Sequence, residues 1–193
     1  MALSKDILIE ELRKIIDPDY AGFEGHPESA SEAAQWWSSA YFTYAVNAED
    51  ASTDRVVTTN PAGFQTALNF AVPGTPVSAA QQFGAAFQAF WTGAVFAIGI
   101  PIVGPGKGQC LNVGGNGIFG VEISSVVTSV ISTALITNLT AEFSVNSEDG
   151  ADKADKLATI FHDATIQDIL VLITGTDTSV PTPLPITNTC QVF

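Results

Sequence analysis

Charged side chains are scarce in this chain, and basic ones are the scarcest. The 193 residues include seven Lys and Arg against twenty Asp and Glu, and charged residues make up 14% of the sequence, where about 25% is usual. A nucleic-acid ligand needs clustered Lys and Arg, and the bases here are scattered. Direct binding to nucleic acid or to anionic membrane surfaces is therefore disfavoured, whereas a basic partner is compatible with the net charge of −13.

The few charges lie towards the two ends of the sequence. From Val56 to Val121 the one charged side chain is Lys107, whereas residues 1–54 hold eleven acids and three bases and residues 122–193 hold nine acids and two bases. A stretch of this length with a single charge must be kept largely away from water, by the fold itself, by neighbouring chains or by lipid.

The usual marks of an exported protein are also missing. Cys110 and Cys190 are the two cysteines, and neither belongs to a C-x-x-C pair. Two reduced thiols are the simpler expectation, and a disulfide between them stays open. Acidic residues occupy the N-terminal segment 1–17, where a secretion signal needs a basic start and an apolar core, so no signal peptide is expected.

Helix-start signals, each a capping side chain followed by an amphipathic or apolar run, recur along the chain. Pro61 and Pro76 stand in the first turns of two of these runs. The segment 121–143 is rich in Val, Ile, Ser and Thr, which lowers its helix propensity. The signals predict helices over about the following segments: 4–16, 29–47, 60–72, 75–99, 121–143 and 149–164.

The remaining segments predict little regular structure. Residues 99–120 are rich in glycine and form either a loop or an inserted hairpin, and the apolar run Ile169–Ile173 is typical of a strand. Residues 178–193 contain three prolines and are expected to be an extended tail. The sequence thus predicts a mainly α-helical fold: a bundle of about five helices with a short C-terminal β element, in a single domain at 1–177 that is followed by the tail.

Two segments are long enough to cross a bilayer. Gly84–Gly104 has no charge over 21 residues, and Gly117–Asn138 has only Glu122. Together they would form a two-span hairpin of the kind found in holins. Polar Gln, Ser and Thr side chains dilute both segments, however, and the flanks lack the Lys and Arg bias that orients spans. Buried helices in a packed assembly are therefore favoured.

No residue pattern specifies catalysis, a cofactor or a metal. The glycine-rich run 104–108 lacks the spacing of a phosphate-binding loop, and the acidic run 149–155 lacks the glycine and glutamate positions of a calcium loop, so it fits the start of a helix. His26 and His162 are the only histidines. His162 beside Asp163 is a candidate oriented imidazole, although a pair on a helix surface is the ordinary interpretation.

Aromatic side chains at helical spacing form two sets. Ordinary core is their common explanation, but the charge-poor stretch is longer than the core of one domain needs. We interpret the excess as a large subunit interface, since obligate interfaces resemble a core cut in half. A charge in place of Phe90 is accordingly expected to abolish assembly or folding. The two sets are Phe83, Phe87, Phe90 and Trp91, and Trp36, Trp37 and Tyr41.

The layout of the chain carries a family resemblance. A short helical start is followed by the A-F-Q-A-F-W-T-G-A-V-F pattern of Ala86–Phe96, a glycine-rich connection, a Ser/Thr/Val segment and a final helix that leads into a strand. In this layout, over most of its length, the chain resembles small acidic proteins encoded among the structural genes of tailed bacteriophages. The resemblance implies a virion component of the neck, tail or baseplate, made in the host cytoplasm and present in several symmetric copies, without a defined active site.

The predicted function is therefore that of a structural phage protein, not an enzyme, whose partners are copies of itself and other virion proteins. No catalytic, cofactor-binding or metal-binding residue is assigned. Two alternatives stay open. One is a two-span membrane-inserting protein such as a holin, and the other is a small-ligand-binding or enzymatic helical domain centred on His162.

Overall fold

The chain combines α-helices with one antiparallel sheet in its computed structural model. Within the described residues there are six helices and six strands. The prediction of a mainly α-helical chain with a smaller β part is confirmed, but the fold is not a helical bundle with a short β element. The structure describes residues 3–50, 54–68, 74–96, 101–102, 120–145, 149–177, 182 and 184–193.

Local capping explains where most of the helices begin. Ser29, Asn60, Thr75 and Asp149 each accept a hydrogen bond from a backbone N–H two or three residues further on, with N–O distances of 2.8–3.2 Å. Ser4 precedes the first helix without making such a bond. The predicted helix starts at these five positions are therefore confirmed. The helices are α1 Lys5–Ile16, α2 Ala30–Ala45, α3 Pro61–Ala67, α4 Pro76–Trp91, α5 Thr133–Phe143 and α6 Gly150–Asp168.

The predicted end of α4 near residues 99–101 is wrong. The helix ends at Trp91, and Gly93 has a φ of +75°, in the left-handed region that favours glycine. The turn sends Val95–Phe96 into the sheet as strand β2. An aromatic and β-branched pair is therefore taken up by strand pairing instead of continuing the helix.

The prediction of one helix over 121–143 is also wrong. Its first half is strand β4, Gly120–Val130, and helix α5 begins only at Thr133. Strand β4 is dense in Val, Ser and Ile, and it pairs with β5 from Val121 to Val130. Its β-branched residues favour a strand, and pairing with β5 stabilises the segment as a strand although its apolar residues also fit helical spacing.

The sheet has the order β1-β2-β4-β5-β6, with β3 on β4, and its pairs are all antiparallel. The strand predicted at 169–173 is confirmed and extends to Asp177. The expected tail at 178–193 is wrong as a free extension, because β6 pairs with β5 along its whole length. The remaining strands are β1 Val56–Thr58, β3 Pro101–Ile102, β5 Ile169–Asp177 and β6 Leu184–Gln191.

The two outer strands of this order meet at Glu49. The backbone of Glu49 exchanges two hydrogen bonds with Phe193, of 2.9 and 2.8 Å, just beyond the end of β6. Glu49 also forms a bridge with Arg55, which directly precedes β1. These contacts connect β6, through Phe193, Glu49 and Arg55, to β1 at the opposite end of the strand order. At this end Glu49 closes the sheet by joining Phe193 to the segment that leads into β1.

One hydrophobic core joins the helices to the inner side of the sheet. Helix α4 packs against α3 and α5, and α1 packs against α2 and α6. The α4–α5 contact is close at Gly84, where an added Cβ would lie 2.5 Å from Ile136 Cγ1. Buried strand residues such as Val127, Val171 and Phe96 belong to the same core cluster.

Candidate functional site

The aromatic sets lie mostly inside the chain. Phe87, Phe90 and Trp91 on α4 have no exposed surface, and Tyr41 on α2 is 2% exposed. The Tyr41 ring packs against that of Phe90 with 5.0 Å between the centroids. The interpretation of the α4 aromatic face as a subunit contact is therefore wrong, because this face is already covered by the chain's own helices.

A chain of polar groups crosses this aromatic core. Trp91 Nε1 lies 2.7 Å from Tyr41 Oη, which lies 2.8 Å from Thr165 Oγ1 on α6. One turn away on each helix, Tyr44 Oη lies 2.8 Å from His162 Nδ1. Tyr41 and Tyr44 are three residues apart on α2, as are His162 and Thr165 on α6, so each pair shares one helix face. The chain of bonds therefore connects α2, α4 and α6.

The direction of the first hydrogen bonds follows from the groups themselves. The indole N–H of Trp91 can only donate, so Tyr41 Oη accepts from it. Thr165 donates its own proton to the backbone carbonyl of Phe161 at 2.7 Å. The hydroxyl proton of Tyr41 is then left for Thr165 Oγ1, and the buried polar atoms of this part of the network are all satisfied.

The surroundings of His162 favour its neutral form. Burial lowers its pKa from the ordinary value, and Lys5 adds to the decrease, whereas Asp163 opposes it. Burial raises the pKa of Tyr44 and of Tyr41, so both phenols keep their protons. A neutral imidazole can accept the Tyr44 proton at Nδ1 and keep its own proton on Nε2.

The surroundings of His162 contain few of the parts that catalysis needs. The hydroxyl of Thr165 is already bonded to a carbonyl, and His162 does not line any of three cavities found among the described residues. The most voluminous of these three, an open groove of about 640 Å³, lies between α2 and α3 and is lined by residues such as Ser31 and Gln65. The hydrogen bonds of the imidazole and its neighbours thus form a link between helices.

The acidic run at 149–155 forms a helix start, as expected. Asp149 caps α6, and Asp152 pairs with Lys156 at 2.5 Å. Asp155 lies 3.7 Å from Lys5 of α1. The described residues contain no group of three or more His, Cys, Asp or Glu side chains that could hold a metal ion. The glycine-rich run 104–108 lies outside the described residues.

A buried carboxylate near the closing point of the sheet has no counterpart in the sequence predictions. Asp50 is 1% exposed, and its Oδ2 accepts a hydrogen bond of 2.6 Å from the Ser125 hydroxyl of β4. Its Oδ1 accepts a 3.1 Å bond from the Asp54 N–H. Asp50 therefore ties the segment around Glu49 to the centre of the sheet. In the sequence, an acid in a polar loop gives no signal of this burial.

Cys190 corrects the expectation of two reduced thiols. It lies on β6, is fully buried and is disulfide-bonded. The other cysteine of the sequence is Cys110, which lies outside the described residues. The sequence left this state open, because the spacing of the two cysteines alone carries no information about pairing.

The strands β4, β5 and β6 have one buried side and one partly exposed side. Buried and partly exposed residues alternate along β5, so that Val171 and Ile173 face the core while Leu170 and Leu172 face outwards. Val126 pairs with Leu172 across the sheet and is likewise partly exposed. These three residues are absent from the core cluster of the described chain and from the side chains packed against it.

We call this partly exposed side the outer face. Its central row runs across four strands through Val95, Val126, Leu172 and Thr189, which are register partners. At a strand spacing of about 4.8 Å this row spans about 14 Å. The neighbouring positions are Ser124, Thr174, Thr187, Ser129, Leu170 and Gln191.

The outer face carries no charge along these rows. The charged residues of the six strands are Glu122 and Asp177, which lie together at one end of the β4–β5–β6 ladder, close to Gly175 and Leu184 in register. An apolar centre surrounded by hydroxyl and amide side chains is the composition of a protein interface, with an apolar middle and a polar rim. The outer face is the candidate functional site of this chain.

The segments that could have formed membrane spans are divided in the structure. The described part of Gly84–Gly104 belongs to α4, β2 and β3, and that of Gly117–Asn138 belongs to β4 and α5. Among the helices that the structure describes, none combines the length and the apolar character needed to cross a bilayer. In comparisons with known proteins, no family model, no curated protein and no solved structure matches this chain.

Proposed function

We propose that the protein is a structural subunit of a tailed-phage particle, in the neck, tail or baseplate, and that it acts through contacts with copies of itself and with other virion proteins. One observation carries the proposal. In a chain with a net charge of −13, the outer face of the sheet is uncharged in its central rows and partly exposed. A protein that remained alone in water would have no need to keep charge from such a surface.

The distribution of charge elsewhere supports an assembling subunit. Charged side chains lie mainly on the helices and on the segments between them, for example the Lys153–Glu142 and Lys14–Glu11 pairs. This acidic surface keeps free subunits soluble and apart before assembly, because their net charges repel. On the uncharged outer face of the sheet, that repulsion does not oppose close contact with another subunit.

The alternatives lack a comparable observation. A holin would insert apolar helices, and the apolar content of 84–138 is divided between helices and strands where it is described. An enzyme centred on His162 would need a substrate cavity beside the imidazole, and the three cavities described above are lined by other residues.

Deleting the gene from the phage that encodes it tests the proposal. A structural subunit predicts normal timing of lysis and defective or incomplete particles in electron micrographs, with rescue by the wild-type gene in trans. The matched control is a complementing copy that carries His162→Gln, which should rescue fully. Delayed lysis with normal particles would support the holin alternative instead, and failure of the His162→Gln copy, if folded, would support the enzyme.

A further inference from the structure

An acidic chain can meet a copy of itself closely only where charge is absent. Two surfaces of like charge repel, and the cost rises when water is excluded between them. On the strands, Glu122 and Asp177 lie at one end of the ladder, so the rows through Leu170 and Leu172 are separated from them along the strands. These central rows are therefore open to a second molecule of the same chain.

The polar groups of the outer face are also of the kind that can pair with themselves. A hydroxyl or a primary amide both donates and accepts hydrogen bonds, whereas a carboxylate only accepts and an ammonium group only donates. The polar positions of the face are serine, threonine and glutamine, including Ser124, Thr174, Thr189 and Gln191. An interface between identical surfaces needs this self-complementarity, because the same set of groups faces itself across the two-fold axis.

From these two observations we infer that the outer face binds the outer face of a second copy, sheet against sheet, about a two-fold axis near Leu172 and Val126. The inference rests on the proposed function, since it names the surface through which the subunit assembles. The apolar centres of the two copies pack together at the usual sheet–sheet distance of about 10 Å. The hydroxyl and amide side chains form the rim.

Closure of the sheet favours this face-to-face arrangement over pairing of strand edges. At the Glu49 end, the backbone N–H and C=O of Phe193 are already occupied by Glu49, and the N–H of Val56 is occupied by the Ala48 carbonyl. Pro185, near the other end of β6, has no backbone N–H to donate. A second copy therefore finds a continuous surface on the face of the sheet, but only part of an edge.

The test measures self-association of the full chain. Sedimentation velocity of the wild type in detergent-free buffer, over about a hundredfold range of concentration, gives the dissociation constant of the dimer. Leu172→Glu places a carboxylate at the centre of the contact, and we expect the dissociation constant to rise by at least about a hundredfold. Phe42→Glu is the matched control, because Phe42 is an apolar side chain on α2 that is 40% exposed. It should leave the dissociation constant within about twofold of the wild-type value.

A second variant guards against loss of folding. Leu172→Thr introduces a β-branched side chain that strands accept but removes most of the apolar contact, and its dissociation constant should rise by about tenfold with an unchanged circular dichroism spectrum. A wild-type dimer that neither folded variant weakens overturns the inference while leaving the proposed function intact. A wild-type chain that is monomeric throughout overturns it as well, and the gene-deletion experiment then decides separately whether the protein is a virion component.

Discussion

The hydroxyl of Tyr41 allows the buried polar network to be tested one group at a time. Tyr41→Phe removes the acceptor of the Trp91 indole N–H, and Trp91 is fully buried and so out of contact with bulk solvent. It also removes the proton that Thr165 Oγ1 accepts, although Thr165 keeps its bond to the Phe161 carbonyl. Leaving a buried donor unsatisfied costs about 1–3 kcal/mol, and we expect a loss of about 2 kcal/mol in the free energy of unfolding.

Tyr44→Phe is the matched control on the same helix face. It deletes the same atom, but the partner that loses its bond is His162, whose imidazole is partly exposed. Water can take the place of the phenol there, so the expected loss is about 1 kcal/mol or less. The difference between the two variants isolates the effect of burial, because the chemical change is identical.

Urea denaturation followed by far-ultraviolet circular dichroism measures both losses. With a slope of about 2 kcal/mol per molar urea, Tyr41→Phe should lower the midpoint by about 1 M and Tyr44→Phe by at most about half as much. All variants are compared at one protein concentration, since self-association would raise the apparent stability. An equal or larger shift for Tyr44→Phe would refute the assignment of Trp91 and Thr165 as partners that depend on the Tyr41 hydroxyl.

Three further predictions concern packing, protonation and the thiols. Gly84→Ala should lower the free energy of unfolding by about 1–3 kcal/mol in thermal denaturation, because its Cβ would collide with Ile136, and Ile136→Ala in the same chain should restore part of the loss. The pKa of His162 is lower in the folded state than its unfolded value of 6.5, so protonation of the imidazole favours the unfolded state. The contribution of His162 to stability is therefore fully present above pH 6.5 and is lost as the pH falls through the unfolded pKa towards the folded pKa. Denaturation at pH 7.5 and pH 5 should therefore show a smaller difference for His162→Gln than for the wild type, whereas an equal difference would contradict the lowered pKa. Cys190 should resist alkylation in denaturant until a reductant is added, and mass spectrometry showing its modification without reductant would contradict the disulfide.

The elements that were predicted correctly from the sequence are those stabilised by interactions between residues close together in the chain. The helix starts at Ser29, Asn60 and Thr75 were recognisable because the capping side chain and the N–H that it accepts are three residues apart. The strand at Ile169 was recognisable from a short apolar run. In each case the interaction that defines the element lies inside the window in which the pattern is read.

The errors come from interactions between distant segments. Strand β4 differs from the predicted helix because its partner, β5, lies about 40 to 55 positions away in register, and local spacing alone does not show that partner. The Tyr41–Thr165 hydrogen bond joins residues 124 positions apart. The burial of Asp50 depends on Ser125, which lies 75 positions further along the chain. Local sequence patterns contain none of these pairings.

The scarcity of charge in this chain has two separate physical causes. Over α4, burial is sufficient: Phe87, Phe90 and Trp91 lie in the chain's own core, and no neighbour is needed to shield them. Burial does not explain the outer face of the sheet, where Val126 and Leu172 are partly exposed and lie outside the core cluster. A partly exposed strand position could carry Lys or Glu at little cost in stability. The charge missing from that face is therefore the portion that the fold of a single chain leaves unexplained, and contact with a second molecule accounts for it.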